Sequence, residues 1–185
     1  MNQSHITVFD GLGAEGFELC HPDDERDFEV VRSKVSGMPQ GPTWNPISVH
    51  LVKLDEGRKL RSSDAPWFGA HALAIGEKAI GAMGDLLTNN GELLPLSCGE
   101  AKLWLFNPTV LLDALDEHAS TLMRFDDGRI MYIQRPVFRP ELVRDVPVFK
   151  LATLPTARMY FGGAFVDRWQ KAKLKGVWFR TVWSA

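Results

Sequence analysis

The sequence predicts an α+β fold: a single domain with a mainly antiparallel or mixed sheet, hairpins and about three short helices. Strand-like apolar runs recur along the chain, an Asp-Gly step separates two of them at hairpin spacing, and helical periodicity is confined to short, separate stretches. With 185 residues, 45% hydrophobic and 24% charged, the chain can bury one core without disulfide staples. That domain is expected to span residues 1–185, with 1–41 a candidate N-terminal arm and 42–184 the core.

Ile6 to Phe9 is β-prone, and Val35 to Pro46, with Gly37, Pro39, Gly41, Pro42 and Pro46, holds too many breakers for a helix or central strand. Ile47 to Val52 reads as a strand. Ala79, Ile80, Met83, Leu86 and Leu87 recur at three- and four-residue spacing and Asn89-Asn90-Gly91 supplies a stop, so a helix is expected over about 77–88. After a strand at Lys102 to Phe106, Asn107 as N-cap and Pro108 at the first helical position predict a second helix to about residue 117. Leu122 to Phe125 and Ile130 to Ile133 flank Asp126-Asp127-Gly128-Arg129, a β-hairpin whose Gly tolerates positive φ. Phe161, Phe165, Trp169 and Ala172 mark a third helical stripe, and Val177 to Trp183 alternates as a final strand.

Charge excludes some functions and suggests others. A net charge of −2 gives no basic field for nucleic acid, and no apolar run is long enough to span a membrane. Met1 to His5 offers no basic region before an apolar one, so no secretory leader is expected, and with two distant cysteines, Cys20 and Cys98, a reducing cytoplasmic location fits best. Residues 1–30 hold Asp10, Glu15, Glu18, Asp23, Asp24, Glu25, Asp27 and Glu29 against Arg26 alone. Residues 156–185 reverse the sign, with Arg158, Arg168, Lys171, Lys173, Lys175 and Arg180 against Asp167. The two ends can attract each other or different partners.

Candidate chemistry is sparse. Gly11-Leu12-Gly13-Ala14-Glu15-Gly16 matches a dinucleotide fingerprint, but Pro22 and Asp23-Asp24-Glu25 follow where a long helix would have to aim amides at a pyrophosphate. A plain glycine-rich turn is expected instead. Asp116, His118 and Ser120 have the residue types of a hydrolase triad, yet on the predicted helix they would point apart. His5, His21, His50, His71 and His118 never stand as HxH or HxxxH, and Cys98 is a lone thiol. No catalytic residue, cofactor or metal ion is therefore expected. Candidate partner-binding residues are the carboxylates Glu18, Asp23, Asp24, Glu25, Asp27 and Glu29, suited to a basic groove, and the aromatic pair Trp67 and Phe68.

The order and spacing of several short runs carry a resemblance. They are Asp64 to Trp67, Leu73 to Ala79, Gly91 to Leu96, Trp104 to Thr109, Leu112 to Asp116 with Ser120, Val137-Phe138, Val148 to Leu151, and Leu174 to Phe179 with Val182 to Ser184. Over roughly Pro42 to Ser184 the chain resembles the immunity protein eleven family, formerly a domain of unknown function, found beside polymorphic and type VI secretion toxins in bacteria. Gly76 stands where that family often has Ser, which removes a helix cap. The resemblance implies a non-catalytic protein that binds and blocks one cognate toxin, encoded by the adjacent gene, with a nuclease favoured by the acidic segment. No direct nucleic-acid or membrane partner is implied. Rival classes are a small thiol or hydrolase-type enzyme and an effector-loading adaptor or chaperone.

Overall fold

Apolar residues that alternate along the strands meet in three hydrophobic clusters, and the elements follow from which cluster each run can reach. The computed structural model describes residues 5–185; residues 1–4, which belong to the stretch read for a secretory leader, lie outside the described residues. Among the described residues the chain runs through β1 (Thr7–Gly13), β2 (Leu19–Pro22), α1 (Asp27–Lys34), β3 (Ser48–Val52), β4 (Leu54–Asp55), β5 (Arg58–Lys59), β6 (Leu73–Gly76), α2 (Glu77–Met83), α3 (Asp85–Thr88), β7 (Gly91–Pro95), β8 (Ser97–Cys98) and β9 (Leu103–Pro108). It continues through β10 (Leu111–Leu112), β11 (Thr121–Arg124), β12 (Ile130–Arg135), α4 (Pro140–Val143), β13 (Val148–Leu151), β14 (Tyr160–Gly162), α5 (Gly163–Lys171) and β15 (Val177–Ser184).

The largest sheet has the order β10-β13-β14-β1-β15 and is antiparallel except for the β10–β13 pair. Two three-stranded sheets, β2-β3-β8 and β6-β9-β7, and two hairpins, β4–β5 and β11–β12, complete an α+β fold. Of the five α-helices three have seven or more residues. The amphipathic α5 buries Phe165, Val166 and Trp169 in the first cluster against α2, where Ala79 and Met83 face it. Gly76 sits at the N-cap of α2 with no side-chain cap bond, as its lack of a hydroxyl requires.

Residues 7–13 lie in the body of the large sheet, between β14 and β15. There Asp10, 1% exposed, accepts ion pairs from Arg158 and Arg180, each at 2.7 Å. The acidic and basic ends of the chain thus meet at one buried carboxylate, held by two partly exposed guanidinium groups. Gly11 and Gly13 belong to β1 rather than to a turn. Aromatic rings take the space of their missing side chains: a Cβ at Gly13 would stand 2.8 Å from the Trp67 ring, and one at Gly11 would stand 3.2 Å from Phe161. The glycines make room for core packing.

Two helix expectations are corrected. The helix over 77–88 is split at Gly84, whose φ of 37° and ψ of −108° end α2 and start α3. The helix expected to begin at Asn107 does not form, because both residues of its start signal are already committed to β9. The buried Asn107 side chain accepts from the Gly37 amide and donates to Met38 O and Glu92 Oε1, clamping a distant loop. Beyond it Leu111 and Leu112 pair with Lys150 and Leu151, and non-local backbone pairing overrides the local cap signal. The hairpin is as expected, with Gly128 at a φ of 86° in its turn.

Candidate functional site

Helix α1 forms a ridge with different surroundings on its two flanks. Asp27, Val30 and Lys34 recur at helical spacing and, with Asp23, Asp24, Trp44 and Ile47, line a cleft of about 490 Å³. Phe28, Glu29 and Arg32 turn the other way and, with His71, Met131, Tyr132, Leu154 and Arg158, line a second cleft of about 350 Å³. Val31 and the following Val35 point inward and are fully buried, which fixes the helix between the two.

The first flank is acidic. Asp23 is exposed there and Asp24 and Asp27 are half-buried, while the exposed Glu29 belongs to the opposite flank and the exposed Glu25 lines neither cleft. The Arg26 guanidinium bonded to Asp24 holds that carboxyl down at about 2, so it stays ionised at neutral pH. Asp23 lies 2.8 Å from His50 Nδ1. Asp27 and Glu29 occupy the first turn of α1 and Arg32 and Lys34 its last, the arrangement the helix dipole favours.

Other candidate partner residues lie elsewhere. Glu18 is buried at 8% exposure and accepts the Ser63 amide at 2.9 Å, so it belongs to a loop anchor and not to the acidic face. Phe68 is 5% exposed and packs on Phe28 at a ring distance of 5.3 Å. Trp67 is half-buried over Gly13. Neither aromatic stands out as an anchor, because two separate hydrophobic clusters need them. Four of the nine large hydrophobic residues exposed among the described residues gather on the hairpin, where sequence periodicity did not single them out: Met123, Phe125, Met131 and Tyr132. Their signal was present, since both strands carry consecutive apolar residues and a two-stranded sheet can bury only one face.

The residues weighed for catalysis are dispersed. Asp116, His118 and Ser120 lie in a turn, not on the expected helix. The Asp116 carboxylate accepts the amides of His118 and Ala119, and Ser120 Oγ donates to Asp116 O, so the carboxylate and hydroxyl are spent on backbone. Cys20 on β2 and Cys98 on β8 flank β3 on opposite sides, about two strand spacings or ~10 Å apart, too far for a disulfide. Burial, with smaller contributions from Cys98 and Asp23, pushes the Cys20 thiol up to about 12. His71 is driven down to about 4 by burial and by Lys150 and Arg32, and is neutral at pH 7. Among the described residues no group of three or more His, Cys, Asp or Glu side chains is placed to hold a metal ion, and no helix is long and apolar enough to cross a membrane.

The hairpin, helix α5 and every strand of the large sheet except β1 fall in one stretch of sequence, and that stretch is matched in a comparison with known families. Residues 97–184 match the model of the immunity protein family Imm11. The match includes the whole of β11–β12, the loop at 152–158 and β15. Residues 42–96, which the sequence reading also placed in the family core, lie outside the Imm11 match, as do β1 and α1. No curated protein matches the chain.

Proposed function

We propose that this protein is a cytoplasmic immunity protein that neutralises one cognate bacterial toxin by stoichiometric protein–protein binding, without chemistry of its own. The match of residues 97–184 to Imm11 carries the reading. The toxin is the product of the adjacent gene, an effector of a type VI or related secretion system that acts in the cytosol. A nuclease is favoured because Asp23, Asp24, Glu25, Asp27 and Glu29 cluster on and beside α1, and such a cluster complements a cleft built to hold phosphates.

Co-expression with the adjacent gene tests this. Survival of the host together with co-purification of the two products is the expected result, and a toxin that kills regardless, with no complex, rejects the assignment. The Cys98→Ala variant protects as well as the parent if no thiol chemistry is involved; loss of protection by a folded Cys98→Ala protein would favour an enzyme. Charge reversal at Asp23, Asp24, Glu25 and Asp27 is expected to slow association by about tenfold or more at low salt and to flatten its salt dependence. An unchanged rate would remove the nuclease argument while leaving immunity intact.

A further inference from the structure

The β11–β12 hairpin is over-supplied with apolar side chains. Ile130 and Ile133 anchor one face in the third cluster, yet Met123, Phe125, Met131 and Tyr132 remain 45–52% exposed on the rest of it. These are four of the nine large hydrophobic residues exposed among the described residues, gathered on one hairpin whose two-stranded sheet no other strand joins. Met123 and Tyr132 are direct cross-strand neighbours, so the apolar surface is continuous across the hairpin. Such a concentration on a soluble surface marks a contact site.

We infer that the cleft between α1 and this hairpin is the anchor pocket for the toxin, receiving an apolar or aromatic side chain from a basic protein surface. The inference rests on the immunity reading and adds where and how the partner is held. Continuity supports it: α1 lines both clefts, so a partner seated on the ridge meets the acidic groove on one flank and Phe28, Met131, Tyr132 and Leu154 on the other. Charge selects the occupant. A second copy of this chain carries the same net charge of −2, whereas a basic surface is attracted to the exposed carboxylates at the start of α1. Beside the pocket Arg32 lies 3.7 Å from Glu29, and Arg158 and Arg180 share the one carboxylate of Asp10, so a single positive charge is left there and the pocket itself takes an apolar side chain. Apolar contact then supplies the residence time and the carboxylates the encounter rate.

The test is the affinity of the full-length protein for the purified, catalytically inactivated product of the adjacent gene, measured for the parent, Met131→Asp, Tyr132→Asp and Leu54→Asp. Leu54 is 65% exposed on β4 and lines neither cleft, so its variant is the surface control. A loss of about 30-fold or more for both hairpin variants, with melting temperature and Leu54→Asp binding unchanged, is expected. Should an aspartate lower the melting temperature, Met131→Gln and Tyr132→Ser repeat the measurement. Parent-like binding by folded hairpin variants overturns the pocket and leaves the immunity reading standing. A parent that neither binds nor protects overturns both. A parent that sediments as a dimer, which the hairpin variants convert to monomer, assigns the surface to a second copy and also overturns the inference.

Discussion

Lys150 is fully buried on β13 with no carboxylate partner among the described residues, and its ammonium donates instead to the carbonyls of Val35, Pro155 and Ala157. One side chain thus ties the end of α1 and the 155–157 loop to the large sheet. Lys150→Met removes three donors from enclosed carbonyls and is expected to lower unfolding free energy by about 3 kcal/mol, read from the urea midpoint. Burial also lowers the Lys150 pKa from 10.5 to about 7. Below that value both folded and unfolded chains hold the proton, and above 10.5 neither does. Between them the unfolded chain binds more protons, so stability should rise with pH from about 7 towards 10, and Lys150→Met should lose that slope. A parent with flat stability over this window would show that the three carbonyls hold the charge in place. Nothing local announced this residue. In sequence Lys150 is one cation in a β-prone run, and its burial depends on segments 115 positions away.

Elements whose cause is local were legible in the sequence, and elements set by distant pairing were not. The hairpin was readable because Asp127-Gly128 dictates the turn from within, and α5 because its apolar stripe has helical spacing. The helix expected at Asn107 failed because its cap signal competes with β9 pairing to β7 and with the Gly37 loop, neither of which a window of sequence contains. The acidic face was visible as composition, but only folding removes Glu18 and Asp10 from it. Phe68 likewise is a candidate contact residue beside Pro66 in the sequence, and the packing of α1 covers it. The break at Gly84 makes a testable statement. A Cβ there would meet only the tip of Arg168, at 3.9 Å, so the cost of Gly84→Ala is conformational. It should destabilise by about 1–3 kcal/mol, seen as a lower melting temperature, and a neutral outcome would mean that α2 and α3 can merge.

At the scale of the whole molecule, the Imm11 match covers β13, β14 and β15, while the strand between β14 and β15 comes from residues 7–13. A fragment of residues 97–185 therefore lacks the strand that joins the last two, and is expected to show no cooperative unfolding transition by circular dichroism. Addition of a peptide covering residues 5–14 is expected to restore part of it, and a fragment that melts cooperatively alone would separate the family region from the rest. Asp10→Asn tests the same joint within the full chain. It leaves Arg158 and Arg180 without their carboxylate and, because both guanidinium groups are partly solvated, should cost about 1–2 kcal/mol, whereas an unchanged stability would make the cluster ornamental. The central position of β1 also sets a timetable for biogenesis. On the ribosome this strand emerges well before its partner in β15, which, joined by the Asp10 to Arg180 contact, is 170 positions downstream. At roughly 5–20 residues per second the nascent chain spends some ten seconds or more with an unpaired strand, so full protection lags behind synthesis and a freshly induced cell is exposed in that interval.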